Sequence, residues 1–120
     1  MNRWVLLEHK VYSGNSLDIH YDFLVENGID CLTWKFFKLP LLNQASVEIF
    51  KQPNHRLVWL SRIEYELSGN RGFVKRIDHG IFKNFSYKLD SEYCRLILDG
   101  ELLYGLFEIS VNSCKLIKNY

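Results

Sequence analysis

The chain has 120 residues, of which 48% are apolar and 15% aromatic, and its formal net charge at pH 7 is +1. This length predicts one domain, and the aromatic content favours β structure over a helical bundle. The near-neutral charge excludes a strong overall attraction to nucleic acid, so any binding of DNA or RNA requires a local cluster of Lys and Arg.

The first predicted element is a strand over 3–8, which delivers His9 at its C-terminal end. The polar segment 10–18 is predicted to be a loop with a turn at Gly14 and Asn15. Because a loop of this length can move, it leaves open how firmly His9 is held in place.

The next segment, 19–26, alternates apolar and polar side chains with the period of two that is typical of a half-buried β-strand. His20 and Asp22 fall on the same face of that strand, about 7 Å apart along the backbone. Together with His9, two imidazoles and one carboxylate form a common ligand set for a catalytic divalent metal. Nitrogen and oxygen donors without sulfur favour manganese, with zinc or another first-row metal as alternatives. The competing interpretation is a rim histidine that is hydrogen-bonded to a neighbouring aspartate.

A hairpin follows the metal-ligand candidates. Asn27-Gly28 is the strongest hairpin signal in the chain, and it returns the chain into a strand over 31–38. Trp34 and Phe36 share one face of that strand, so we expect this face to be buried.

The middle of the chain carries further candidates for the site. Lys38 stands at the end of the third strand, and a short strand over 46–51 follows a loop. A turn over 52–54 is predicted to present His55. The segment 57–65 fits both a helical face and a strand, and we expect a short irregular or helical piece.

The remainder of the chain is rich in short β-prone segments separated by Gly, Asn and Asp. The sequence predicts turns at 68–72 and 78–80, strands at 73–77, 81–89, 94–98 and 102–111, and a last short edge strand at 115–117. No repeat, low-complexity tract or helix-length periodic segment appears. This pattern predicts a mainly β domain, a small, largely antiparallel β-barrel or sandwich with little helix.

The cysteines indicate a cellular compartment. Cys31, Cys94 and Cys114 are odd in number and widely spaced, which fits neither a disulfide framework nor a zinc finger. We therefore expect reduced thiols in a cytoplasmic protein. No signal peptide is recognised before the first predicted strand and no apolar run approaches membrane-spanning length, so we expect no membrane association.

Five short motifs then add a family resemblance. They are 4–9 with His-Tyr-Asp-Phe at 20–23, Trp-x-x-x-Lys-x-Pro at 34–40, His-Arg-Leu at 55–57, the Gly-rich strand and turn at 72–80, and the hairpin at 98–107. In this order they resemble the 3′-phosphoesterase domain of bacterial DNA ligase D. The resemblance covers nearly the whole chain and implies a compact β-barrel, a single 3′-phosphoesterase-like domain over 1–120.

The resemblance also implies roles for residues. His9, His20 and Asp22 hold a divalent metal, and His55 faces the phosphate as a general acid or as a donor to the developing charge. Two further residues are candidates for contacts with the substrate phosphate, namely Lys38 and Arg76.

The function that the resemblance implies is the trimming of nucleic-acid 3′ ends in DNA repair. The family removes a terminal ribonucleoside and then the 3′-phosphate, and leaves a hydroxyl that a DNA ligase or polymerase can use. Phosphate esters hydrolyse so slowly in water that the catalyst must lower the barrier by about 20 kcal/mol or more. A divalent cation is an efficient way to begin.

The chain departs from the family in the residues that grip phosphate. The family's arginine after the His-Tyr-Asp-Phe block is Leu24, and its tyrosine after the third motif is Trp59. A charge-assisted hydrogen bond is worth roughly 1.5–3 kcal/mol, so the lost arginine alone costs about ten- to a hundredfold in rate. Two alternatives therefore stay open: a catalytically degenerate module that binds nucleic-acid ends or a repair partner, and a metal-binding barrel whose substrate is not a nucleic acid.

Overall fold

The computed structural model describes residues 2–69 and 71–118. Within these ranges the chain forms eleven strands and one short 3-10 helix. They are β1 (Arg3–Ser13), β2 (Ser16–Asn27), β3 (Asp30–Phe36), β4 (Val47–Glu48), β5 (Phe50–Arg56), the 3-10 helix (Leu57–Leu60), β6 (Glu64–Glu66), β7 (Phe73–Ile81), β8 (Lys83–Lys88), β9 (Tyr93–Asp99), β10 (Tyr104–Ile109) and β11 (Ser113–Ile117). Asn70, in the predicted turn 68–72, lies outside the described residues.

The strands build two antiparallel sheets. The six-stranded sheet has the order β5-β3-β2-β1-β7-β6, and the five-stranded sheet has the order β4-β11-β10-β9-β8. The chain visits the five-stranded sheet briefly at β4 and enters it for good between β7 and β8, at Phe82, whose backbone N–H donates to the Asn2 carbonyl at 2.8 Å. The mainly β class with little helix is confirmed, but the strand pairing over the described ranges gives two open sheets and not a closed barrel.

The main hydrophobic core lies between the two sheets and is called the inner core. Alternate residues of β1, β2 and β3 point into it, which explains why apolar residues recur with a period of two. Its largest fully buried members are Trp4, Leu6, Phe23, Trp34, Phe36, Ile49, Leu96, Leu98, Leu103 and Phe107. Full burial of one such side chain is worth roughly 1.5–3 kcal/mol.

A second, smaller cluster covers the other face of the six-stranded sheet and is called the outer core. It consists of Val5, Leu7, Leu24, Cys31, Leu60 and Val74. The 3-10 helix Leu57–Leu60 contributes Leu60 to it, so the predicted helical piece over 57–65 is confirmed in part, with β6 following it. The candidate ligands lie on this outer face of the sheet.

Several predicted boundaries are wrong. Residues 10–18 are not a loop, because β1 and β2 stay paired as far as Ser13 and Ser16. The turn itself is where it was predicted, and Gly14 adopts a φ of 61° there. The polar side chains of this ribbon are exposed, so the segment can form a β-ladder without burying a polar group.

Two further corrections concern the second half of the chain. Residues 78–80 are not a turn, because β7 continues through Ile81. The predicted edge strand 115–117 belongs to β11, which lies between β10 and β4. The first correction has a tertiary cause, since the turn-forming residues at 78–80 contact the distant 99–103 segment.

No helix in the described part of the chain combines the length and the apolar character needed to cross a bilayer.

Candidate metal centre

The β1–β2 hairpin brings the three predicted ligands together. His9 lies directly opposite His20 in the antiparallel ladder, and Asp22 lies two residues further along β2. His9 follows Val5 and Leu7 on the outer face of β1, since side chains alternate along a strand. All three side chains therefore project from the same face of the six-stranded sheet.

The donor atoms are spaced as metal ligands are. His9 Nδ1 is 3.2 Å from His20 Nε2, which is 3.3 Å from an Asp22 carboxylate oxygen. One ligand atom from each residue lies within 4.8 Å of the other two, and no other group of three His, Cys, Asp or Glu within 2–69 and 71–118 does so. Neighbouring ligands on a tetrahedral ion with bonds of about 2.0–2.1 Å are about 3.3 Å apart. The cluster can accept a divalent ion with little movement.

A backbone carbonyl fixes the tautomer of His9. Its Nε2 is 2.7 Å from the Arg71 carbonyl oxygen, which can only accept, so Nε2 carries the proton. Nδ1 then presents a lone pair toward His20. Metal-binding histidines commonly donate their second ring N–H to a carbonyl in this way.

Gly72 makes this contact possible. Its φ is 103°, and a Cβ on Gly72 would collide with the Lys10 carbonyl oxygen and lie 3.1 Å from His9 Nε2. The absence of a side chain lets the Arg71–Gly72 backbone approach the imidazole.

The hydrogen-bonded alternative satisfies the cluster less well. His20 Nε2 lies between His9 Nδ1 and the Asp22 carboxylate, and it carries at most one proton. His20 can donate that proton either to His9 Nδ1 or to the Asp22 carboxylate. The acceptor that does not receive it keeps a lone pair facing the nitrogen. A cation accepts all three donor atoms, and Asp22, at 9% exposure, is sheltered from water that would otherwise solvate it.

The remaining predicted residues do not join the cluster. His55 lies on β5, opposite Cys31 of β3. Its place in the ladder is four residues along the strands from that of Asp22, about 13 Å, and two strands across, about 10 Å. Its Nδ1 lies 3.0 Å from the Pro53 carbonyl oxygen. Residues 52–54, predicted as a turn, belong to β5, so the chain keeps His55 in the ladder and does not present it to the metal ligands.

The two predicted phosphate contacts also lie apart from the ligands. Lys38 is exposed and follows the end of β3. Arg76 is half-buried on β7. Leu7 of β1 lies between it and Asp22 in the ladder, so the Arg76 backbone is two strand spacings, about 10 Å, from the strand that carries Asp22.

Two residues that sequence reasoning missed lie closer. Lys35 lies directly opposite Asp22 on β3, and the Phe37 ring centroid is 6.3 Å from that of His20. The signal was present, because a hairpin at Gly28 pairs Asp22 with Lys35 once the turn is fixed. Inward-facing Trp34 and Phe36 then place Lys35 on the outer face.

Two titratable groups further along the same sheet are paired or neutral. Arg3 donates to the Glu26 carboxylate at 3.0 Å, and this hydrogen bond lowers the pKa of Glu26 to about 2. Burial raises the pKa of the Cys31 thiol to about 11, so it stays neutral. Leu24, at the position where the phosphoesterases that the motifs resemble have arginine, is fully buried in the outer core. Lys35 is therefore the cationic side chain that pairs directly across from Asp22.

None of the known family models matches this chain, and no curated protein is found to be similar to it. The candidate function therefore depends on the site itself and on the resemblance of the five motifs.

Proposed function

We propose that the chain is a metal-dependent phosphoesterase that processes the 3′ ends of DNA or RNA in DNA repair. Its substrates are ends that carry a 3′-ribonucleoside or a 3′-phosphate, and its product is a 3′-hydroxyl for a DNA ligase or polymerase in the cytoplasm. The observation that carries the proposal is the convergence of His9, His20 and Asp22 within 4.8 Å. The motif order around these residues supports the choice of phosphate esters.

His9, His20 and Asp22 supply three of the ligands on the outer face of the six-stranded sheet, and the other positions on the ion are left for water and substrate. A divalent ion held there, with manganese favoured and zinc or another first-row metal as alternatives, would polarise a phosphoryl oxygen and activate water. The Arg71 carbonyl holds His9 in the tautomer that binds, because it accepts the Nε2 proton.

Lys35 takes the place of the family's arginine in this proposal. Its position opposite Asp22 puts an ammonium group within reach of a phosphate at the cluster, where it stabilises developing negative charge. His55 is too distant for a role as general acid in this arrangement. An ammonium is a point charge and not a bidentate fork, so we expect slower turnover than an arginine would give.

A second candidate is a catalytically degenerate module that binds nucleic-acid ends or a repair partner. The observation that favours it is Leu24, which removes a cation from the outer face and buries an apolar side chain in its place. Such a module retains binding without turnover.

One experiment separates the two. The protein is incubated with Mn²⁺ and a primer–template that ends in a 3′-ribonucleotide or a 3′-phosphate, and trimming is followed on a gel. Asp22→Ala is expected to lower the rate more than a hundredfold and to abolish Mn²⁺ binding in calorimetry. Asp18→Ala is the matched control, because Asp18 is an exposed carboxylate on the same strand and face.

The outcomes are distinct. Trimming by the wild type and by Asp18→Ala, but not by Asp22→Ala, supports the enzyme. Binding of the primer–template without trimming, unchanged by Asp22→Ala, supports the module. Wild-type protein that takes up none of the first-row divalent ions contradicts the metal centre.

A further inference from the structure

Two exposed aromatic rings lie beside the candidate metal centre. Phe37 is 60% exposed and Phe50 is 39% exposed. The Phe37 ring centroid is 6.3 Å from that of His20 and 6.1 Å from that of Phe50, both in edge-on arrangements. Neither ring belongs to the inner or the outer core. We call Phe37 and Phe50 the aromatic platform.

A cation connects the platform to the ligands. Lys35 lies between Asp22 and Phe50 in the ladder, and its Nζ is 5.5 Å from the Phe37 ring centroid. Phe37 also lines a cavity of about 350 Å³ together with Lys38 and the 46–48 segment. The metal ligands, a cation and an aromatic surface with adjacent space therefore follow one another across the sheet.

This order matches the parts of a nucleotide. A phosphate near the metal ligands has Lys35 beside it, and the base attached through the sugar reaches the aromatic platform. Stacking of bases on aromatic side chains beside a positively charged groove is the usual way in which proteins bind single-stranded nucleic acid. A purely apolar partner leaves the ammonium group of Lys35 without a complement.

We propose that the aromatic platform is the subsite for the base of the 3′-terminal nucleotide, so that the protein prefers 3′ ends with a base over abasic ends. The proposal rests on the proposed function, because the metal centre defines where the phosphate lies. Every base has a π-face, so the subsite tolerates all four bases. Ends that stay paired in a duplex bind less well, since the terminal base must leave its stack to reach Phe37.

The test is a binding measurement that needs no turnover. Two labelled single strands with 3′-hydroxyl ends differ only in the last residue, which is adenosine in one and an abasic ribose in the other. Fluorescence anisotropy with Mn²⁺ present gives the ratio of the two affinities. For the wild type we expect about ten- to a hundredfold tighter binding of the adenosine end.

The variants sharpen the measurement. Phe37→Ala is expected to bring the ratio near one, Phe37→Leu to do the same with the apolar volume kept, and Phe37→Trp to retain it. Tyr104→Ala is the matched control, because Tyr104 is a 59% exposed aromatic residue on the other sheet, and the ratio is expected to be unchanged. Urea unfolding of each variant shows that the fold is kept.

Equal binding of the two strands by the wild type overturns the subsite, and so does a base preference that persists in Phe37→Ala and Phe37→Leu. If the proposed function fails and the subsite holds, the result is different: the base preference still depends on Phe37, but the protein trims no 3′ end. Trimming that is indifferent to the terminal base leaves the phosphoesterase and removes the subsite.

Discussion

Two buried aspartates of the six-stranded sheet have opposite surroundings. Asp78 is 5% exposed, and its carboxylate accepts the backbone N–H groups of Glu101, Leu102 and Leu103 at 2.8–3.0 Å and that of His79 at 3.0 Å. Asp22 is 9% exposed, and its carboxylate contacts the imidazole of His20 at 3.3 Å. Burial alone therefore does not mark a functional carboxylate.

The difference lies in the groups that surround each carboxylate. Backbone N–H groups around Asp78 are fixed, saturate both oxygens and tie the 99–103 turn to β7, which is a structural role. The imidazoles near Asp22 have lone pairs that a cation can share. A buried carboxylate whose neighbours are themselves potential ligands is the one that indicates a metal.

The largest effect that separates the two aspartates is on stability. Asp78→Ala leaves three backbone donors of the 101–103 turn without an acceptor, so we expect a loss of at least about 3 kcal/mol in the free energy of unfolding. Asp22→Ala is expected to change the unfolding free energy of the metal-free protein by less than about 1 kcal/mol. Urea unfolding in EDTA measures both. A similar loss in the two variants contradicts the division of roles.

Gly72→Ala tests whether the backbone positions the metal ligands. The added Cβ collides with the Lys10 carbonyl and crowds His9 Nε2, so the Arg71 carbonyl must move away from the imidazole. We expect about ten- to a hundredfold weaker Mn²⁺ binding, the usual cost of losing such a supporting hydrogen bond.

Gly69→Ala is the matched control for that variant. Gly69 has a φ of 68°, also in the left-handed region, but no atom lies within 4 Å of the Cβ that it would gain. It shares the backbone strain of Gly72→Ala without the collision at His9. If both variants weaken Mn²⁺ binding equally, the Arg71–His9 contact has no special part in the site.

The arrangement of the ligands could be predicted because it depends on local rules. A period of two places His20 and Asp22 on one face, and glycine turns at Gly14 and Gly28 fix the neighbouring strands. The segment 10–18 was predicted to be a loop, which left open how firmly His9 is held, and the paired ribbon in fact holds His9 opposite His20. Exposed polar side chains are compatible with a strand, so their polarity did not distinguish ribbon from loop.

The features that escaped prediction depend on tertiary contacts. Asp78 and Gly80 are residue types that are common in turns. In the fold, Asp78 accepts hydrogen bonds from the 101–103 backbone, and Gly80 allows a close approach of its backbone to the Asp99 carboxylate. The register of β3 and β5 shifts between Cys31 and Thr33, and no local pattern places His55 relative to that irregularity. Such positions are set by the partner segment and not by the residues themselves.

The smallest expected effect concerns a third carboxylate of the sheet, Glu26, which is neutralised by Arg3. Its pKa of about 2 is below the ordinary 4.5, so this pair stabilises the fold above about pH 4.5, and the contribution disappears as the pH falls toward 2. Arg3 is half-exposed, and screening limits the effect to about 1 kcal/mol or less. Unfolding free energies from pH 2 to 7 are expected to fall less steeply in acid for Arg3→Ala than for the wild type.

The Arg3 backbone N–H, which donates to Glu26 at 3.1 Å, is kept in that variant, so part of the acid dependence is expected to persist. Lys10→Ala is the control, because it removes a surface ion pair with Glu8 on the same strand, at 3.5 Å, and is expected to leave the acid profile unchanged. If the profiles of Arg3→Ala and the wild type are parallel, the Arg3–Glu26 pair is not the source of this acid dependence. Unlike Asp78 and Asp22, Glu26 is a carboxylate whose partner is a half-exposed side chain. Its small expected effect distinguishes an ion pair between the ends of β1 and β2 from a carboxylate saturated by backbone N–H groups and from a metal ligand.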